Sequence, residues 1–505
     1  MIQNIKSILK HSSVYGIGNA AQKAIGLITL PLYSMKLASV AEFGIFGIID
    51  ITINILVIVF TFGQANSILM FNNSAEYKHK RKQAFFTIVT SVVFINILLL
   101  TALYFSQNYI FKSLFIPVKY SIYFKLGLMV VLVRVLTTVL MAKLRADERS
   151  VFFTIVTLIK ISAVLLLIIY FVGFAGYGIK GILYAYILSE LLILAVLIPS
   201  TLKEMNFNFD NQIFKEAVVF GLPLIFSAIG IMLLNLSDRY IIQYLKDSTN
   251  VGLYDFGYRI AGALNMFLIM PFNTALLPSA YKVYGQPNDK RYYSKLLTYM
   301  TFVGVWAGLA LSLFAEEIVK LLALKSGYYP AYAVVPLIVF AYVFSGMRNI
   351  TSLGMMLTKK TGYIGLLTLF FAVFNIVLNF ILIPRYGIMA AAFTTLLSFV
   401  LFYLSAQIIS NKFYPIPFEN GKIVKVLTSG VVLYFAAQLA KEFSFVFYFI
   451  ARLAAVLVFP FVLLYTGFYE KIELETLYKI KGKLGSPKAI LKELNSFFFN
   501  SGNEQ

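Results

Sequence analysis

Apolar stretches of about twenty residues recur along the chain, separated by short polar segments. Each is long enough to cross the ~30 Å hydrocarbon layer of a bilayer as a helix. The pattern predicts fourteen such helices, over residues 13–36, 43–66, 84–105, 121–142, 151–172, 180–200, 216–237, 250–278, 296–315, 331–347, 362–383, 388–410, 424–440 and 445–467. The runs are too long and continuous for barrel strands, and backbone groups in lipid must be satisfied within the segment, so an all-α bundle follows. The first stretch exceeds the apolar core of a signal peptide and is read as an uncleaved span.

Composition sharpens this picture. The chain is 60% hydrophobic and 13% charged, against about 45–50% and about 25% in soluble domains. That excludes an ordinary soluble enzyme and a disordered scaffold. A formal charge of +21 could point to nucleic acid, but the basic residues follow the loops. With the N-terminus in the cytoplasm, and with Lys180 and Lys425 at span edges counted with their adjoining loops, the cytoplasmic segments hold 27 Lys and Arg and the opposite side 9. This asymmetry is the positive-inside signature. It predicts a multi-pass membrane protein with both termini cytoplasmic and no nucleic-acid partner.

The loops, none longer than about 17 residues, leave no room for a catalytic domain, which argues against a membrane-anchored glycosyltransferase. A large external loop, expected of a polysaccharide polymerase, is likewise missing from the pattern. Cysteine is absent, and the two histidines, His11 and His79, sit in basic flanks. No nucleophile, metal cluster or acid–base pair stands out, so neither an enzyme nor a resident cofactor is expected.

The halves of the chain resemble one another. Gly16, Tyr33 and Gly44 match Gly221, Tyr240 and Gly252 at offsets of 205, 207 and 208. Arg134 and Thr137 match Arg348 and Thr351, and Tyr177-Gly178-Ile179 with Leu188-Ser189 matches Tyr386-Gly387-Ile388 with Leu397-Ser398. The unit holds six spans, so the two copies share orientation, as in parallel-repeat transporters. The expected organisation is a lobe over 1–205, a second over 206–412, two extra helices over 413–467 and a basic cytoplasmic tail over 468–505.

Several segments resemble the Wzx-like polysaccharide repeat-unit flippases, the polysaccharide transporter family of the multidrug/oligosaccharidyl-lipid/polysaccharide exporter superfamily. They are Ser13-Val14-Tyr15-Gly16 through Glu42-Phe43-Gly44, Leu144-Arg145-Ala146, Ser237-Asp238-Arg239-Tyr240 through Val251-Gly252-Leu253-Tyr254, and Asn379 through Pro384-Arg385-Tyr386-Gly387-Ile388. The resemblance implies outward movement of undecaprenyl-pyrophosphate-linked oligosaccharides across the bacterial cytoplasmic (inner) membrane by alternating access, for O-antigen, capsule or another surface polymer. It also implies partners among membrane lipids and polysaccharide polymerase machinery, and a groove for the isoprenoid tail at the two extra helices. A peptidoglycan-precursor (lipid II) flippase of that superfamily shares the head-group charge, so electrostatics does not separate the two. A multidrug exporter would be expected to have twelve spans and an acidic lumen. A non-transporting scaffold would leave the buried charges without a purpose.

An ionisable group near the bilayer centre costs about 2.5–3.5 kcal/mol on insertion scales, so each one needs a reason. Lys23, Arg134, Lys160 and Glu190 fall near span midpoints, while Asp50, Asp255 and Arg259 fall about two turns inside the outer ends. Asn19, Gln22 and Lys23 share one helical face, as do Asp255, Tyr258 and Arg259. Guanidinium and ammonium groups suit a pyrophosphate, so Lys23, Arg134, Lys160, Arg259, Asn19, Gln22 and Tyr258 form the candidate substrate set in a cationic vestibule. Asp50 and Asp255 are candidates for H⁺ or Na⁺ coupling. Glu190 is a second choice, with Lys160 as an alternative structural partner, and Asp238-Arg239 reads either as an outer gate or as a local ion pair. Arg452, outside the repeat, is expected at the head groups. Pro31, Pro223, Pro271 and Pro278 are expected to kink or open helices.

Overall fold

The computed structural model describes residues 25–74, 76–113, 120–471 and 473. The described chain is helical. After the end of the first span, α1 (Leu30–Lys36), come α2 (Val40–Asn73), α3 (Arg81–Ser113), α4 (Ser121–Ala146), α5 (Ser150–Phe174), α6 (Gly178–Leu202), α7 (Asn211–Leu245), α8 (Ser248–Val283), α9 (Asp289–Leu313) and α10 (Ser326–Leu357). A helical segment over Thr361–Phe413 follows, then α13 (Asn420–Leu439) and α14 (Phe445–Tyr465). Fifty-three residues of helix would measure about 80 Å, far beyond one bilayer. The segment breaks at Gly387, whose φ of 59° and ψ of −141° leave helical space. It is therefore two spans, α11 (361–386) and α12 (388–413). With α1, the predicted count of fourteen stands.

Short connections make neighbouring helices antiparallel and give the bundle two ends. One end holds the loops with Lys78, Lys80, Arg149, Lys203, Lys359 and Lys360 and is called the basic end. At the other, Lys246 Nζ donates to the Pro384 carbonyl across 2.9 Å, so the α7–α8 and α11–α12 turns meet there.

Helix starts follow local chemistry. Ser39 caps α2 by accepting from Glu42 N, while the Glu42 carboxylate reaches back to Ala38 N at 2.6 Å, a variant of the capping box. Asp247, 208 residues later, caps α8 by accepting from Asn250 N at 2.8 Å. The expected proline kinks resolve differently from one another. Pro31 sits in the first turn of its helix, where its missing N–H costs nothing. Pro271 follows a π turn over Asn265–Ile269 that absorbs its missing donor inside α8.

Packing gathers α3, α4, α5 and α6 with α2, and α9, α10, α11 and α12 with α7 and α8. The α13–α14 pair leans on α9. Between the groups, α2 lies along α8 near the opposite end and against α7 near the basic end. Glycines allow both approaches. A Cβ on Gly44 would stand 1.9 Å from the Ser248 carbonyl oxygen, and one on Gly252 2.2 Å from that of Val40. Toward the basic end, a Cβ on Gly221 would meet the Phe62 carbonyl oxygen at 2.3 Å.

Further contacts close each end. Leu324 N donates to Ser34 Oγ at 3.1 Å and Ser34 Oγ donates to Leu322 O at 3.0 Å. At the basic end Tyr77 OH donates to Glu216, and Lys80 Nζ stands 3.3 Å from Asp210. The hydrogen bond from Tyr77 to the Glu216 carboxylate raises the Tyr77 phenol to about 12.

Candidate functional site

The buried charges gather in the middle of the bundle. Asp50 lies ten residues into α2 and Arg259 eleven into α8, about 15 Å from the helix starts and so near the centre of a ~30 Å layer. Both are deeper than the two turns expected from the sequence, because α2 and α8 begin two or three residues earlier than their apolar runs.

Arg259 binds two acids. Its Nε lies 2.8 Å from Asp255 Oδ2 and its Nη2 3.3 Å from Asp50 Oδ2, so the pair bridges α8 to α2. The other Asp255 oxygen takes Arg239 Nη2 from α7 at 3.3 Å. Arg239 is 2% exposed, so no water shell compensates its charge. Its guanidinium stacks 3.8 Å from the Tyr258 ring centre, and Nη1 donates to the Asn235 carbonyl at 2.8 Å. Tyr258, expected to meet substrate, is thus the platform under Arg239.

A second knot lies among α4, α5 and α6. Glu190 is fully buried, and its Oε1 takes Lys160 Nζ at 2.8 Å and Arg134 Nε at 2.9 Å. Its Oε2 accepts from Thr137 Oγ1 at 2.8 Å. Arg134 Nη1 reaches toward Asn54 Oδ1 at 3.5 Å, and Asn54 Nδ2 donates to the Asp50 carbonyl. One polar chain therefore runs from Lys160 through Glu190, Arg134, Asn54, Asp50, Arg259 and Asp255 to Arg239.

Asp238 and Arg239 do not form the local ion pair that their adjacency suggests. Successive helical residues point apart, and Asp238 turns into a neutral cage. It accepts from Tyr254 OH at 2.5 Å, Thr395 Oγ1 at 2.9 Å and Asn379 Nδ2 at 2.7 Å. Asp238 thereby links α7 to α8, α11 and α12. Asn379 was legible only as a motif residue, and Thr395 carried no sequence signal at all.

Among the described residues of this centre, Arg134, Lys160, Arg239 and Arg259 face Asp50, Glu190, Asp238 and Asp255. The expected cationic excess is therefore not found among them, since each of these cations has a carboxylate partner. Asn19, Gln22 and Lys23 lie outside the described residues. Gly26 is described, and a Cβ there would meet Arg259 Nη1 at 3.4 Å, which places the α1 end of the chain at the centre.

Two arginines depart from expectation. Arg348 matches Arg134 in the repeat, but Phe399 stands where Glu190 does, at the offset of 209 that relates these helices. Its guanidinium lies 4.7 Å from the Phe402 ring centre and binds Asn349, its Nε has no partner, and no carboxylate pairs with it among the described residues. Arg452 is 0% exposed and held within the bundle. It faces both oxygens of Glu317, at 2.7 and 2.6 Å, and stacks 3.9 Å from the Tyr448 ring centre. Burial of the guanidinium between α9 and α14 clamps the extra helices to the bundle.

No group of three or more His, Cys, Asp and Glu able to hold a metal ion occurs among the described residues.

The fold recurs in known transporters. The chain is similar to the lipid II flippase MurJ in an inward closed conformation, with 14% identity and a TM-score of 0.72 over 88% of this chain and 97% of that one. It also resembles a point mutant of the Vibrio cholerae MATE transporter VcmN, with 14% identity and a TM-score of 0.56 over 81% and 96%. A MOP-superfamily transporter from Pyrococcus furiosus gives 16% identity and a TM-score of 0.57 over 81% and 96%. At such identities the likeness speaks for the fold. No match is found among curated proteins. The model of the family described as polysaccharide biosynthesis protein matches residues 8–283, more than half of the chain, and with the multi-pass transporter fold around it the chain belongs to that family.

Proposed function

We propose that the protein flips an isoprenoid-pyrophosphate-linked oligosaccharide outward across the cytoplasmic membrane by alternating access between lobes 1–205 and 206–412. The observation that carries this reading is the buried chain of charges across the interface of α2 with α8. Its acids hold the cations in place until a head group enters. An entering pyrophosphate competes for the guanidinium groups of Arg259 and Arg134, and the displaced Asp50 or Glu190 takes up H⁺ or Na⁺. Binding then costs the broken ion pairs, which keeps it weak enough for release.

The direction follows from the charges. With the basic end in the cytoplasm, an anionic head group leaves a negative interior, and each charge gains about 2.3 kcal/mol per 100 mV. Lipid II flipping is the second reading, favoured by the structural likeness to MurJ.

Reconstituted liposomes test both readings. Transbilayer movement of an undecaprenyl-pyrophosphate oligosaccharide should be present in the wild type and lost in Arg259→Ala, with the fold retained. Movement of lipid II alone would select the second reading. Efflux of a cationic dye with no pyrophosphate lipid moved would refute both.

A further inference from the structure

A cavity lies away from the central charges, at the seam between the main bundle and the α13–α14 pair, near the end opposite the basic loops. Its volume is about 280 Å³, the room of roughly nine waters at about 30 Å³ each. Ser312, Glu316, Tyr332, Tyr434, Gln438 and Tyr448 line it, and Lys441 stands at its edge. The floor is fixed, because Arg452 binds Glu317 and stacks on Tyr448 just beneath. Tyr448 OH donates to Gln438 Oε1 at 2.9 Å, so two lining groups are held in place.

One group is unsatisfied. Ser312 is 4% exposed, and its hydroxyl has no partner, at a cost of about 1–3 kcal/mol for a buried polar group left alone. An apolar guest would leave that cost standing. The charged groups at the wall are already paired with one another. Glu316 lies 2.7 Å from Lys320 and 3.9 Å from Lys441, and the hydrogen bond from Lys320 holds its carboxyl below the usual range. With Glu316 engaged by both ammonium groups, no wall charge is left over to hold an ion of either sign. What fits is a neutral guest rich in hydroxyls, with C–H faces for the tyrosine rings.

Access is from the membrane surface. The α13–α14 connection carries Phe443 and the first turn of α14 carries Phe445 and Phe447, all more than half exposed, as expected of aromatic residues at the lipid–water boundary. We propose that this cavity is a binding site for one neutral sugar-sized polyol, presented by a lipid or free in solution. The site stands on its own residues and does not rest on the reading of the central charges.

Full-length protein in nanodiscs of neutral lipid tests it by saturation-transfer NMR. The probes are methyl β-D-glucopyranoside in solution and, separately, glucosyl diacylglycerol in the disc. Transfer from either probe is expected, weakened at least tenfold in both Ser312→Val and Gln438→Leu, whose helical melting should match the wild type. Signal from the free glycoside assigns a soluble or substrate-borne sugar; signal from the glycolipid alone assigns a membrane lipid. No transfer from either probe, or transfer unchanged in both variants, would overturn the proposal and leave the cavity to water.

Discussion

Gly44 and Gly252, equivalent positions of the internal repeat, touch each other: a Cβ on Gly44 would lie 2.8 Å from Gly252 N. Each glycine opens its helix to the backbone of the other copy, and their capping residues, Ser39 and Asp247, keep the same offset of 208. The α2–α8 contact is therefore close to self-matched, and it closes the bundle at the end opposite the basic loops. Introducing a side chain there costs about 1–3 kcal/mol of overpacking, and splaying that end relieves it. Gly252→Val should shift the population toward a form open at that end. The chain has no cysteine, so spin labels at Ala38 and Lys325 report the gap cleanly. Unchanged distances would show that the contact is not part of the gate.

Asp255 should matter more to stability than Asp50. It neutralises Arg239 and Arg259 together, whereas the Arg259 partner of Asp50 keeps Asp255 if Asp50 is lost. Leaving a buried charge unpaired costs about 3–5 kcal/mol. Asp255→Asn should lower the melting temperature well below that of Asp50→Asn, and the added Arg239→Gln should restore part of the loss. Melting curves in detergent check the order, and equal effects of the two acids would refute it.

The periodicity of apolar residues sets out every described span, because lipid demands a long, self-satisfied helix whatever its neighbours are. The charged residues were legible for the same reason, their cost being visible one at a time. Pairing was not. Helical spacing brought Asp255 to Arg259, but nothing local indicates that Asp238 turns to Thr395, 157 residues away, or that Arg452 finds Glu317. Such partners are chosen by the packing of separate helices, and the apolar spans between them carry no record of that choice.

The chain after α14 folds back at the basic end through acids. Glu470 lies 2.5 Å from Lys295 and 3.0 Å from Lys422, and Arg291 stands 3.5 Å away. Burial alone would push its carboxyl up, but the ammonium groups of Lys295 and Lys422 outweigh this and hold it at about 2. A carboxyl lowered from about 4.3 adds stability above its unfolded value and loses it as pH falls toward the folded one. The turn should stay docked at neutral pH and release between about pH 4.3 and 2. A fluorophore at Lys471 should report that release. Glu470→Gln should abolish the transition, and a midpoint left in place would assign it to other groups.

Arg348 offers the sharpest contrast within the repeat. Arg134 is committed to Glu190, whereas Arg348 rests on Phe402 with no acid beside it among the described residues. Removing it breaks no ion pair, so Arg348→Gln should leave the melting temperature unchanged or raise it, since a buried guanidinium is itself costly. If the cation is held in reserve for an anionic head group, the same change should weaken binding of an undecaprenyl-pyrophosphate lipid. The loss of one charge-assisted contact is about 1.5–3 kcal/mol, or roughly ten- to a hundredfold in Kd. Arg134→Gln should also weaken that binding but, unlike Arg348→Gln, lower stability, by leaving the Glu190 carboxylate to Lys160 alone. Binding to pyrophosphate lipid in nanodiscs, read beside melting, separates the two arginines. Full affinity in Arg348→Gln would confine the head group to the centre around Arg259.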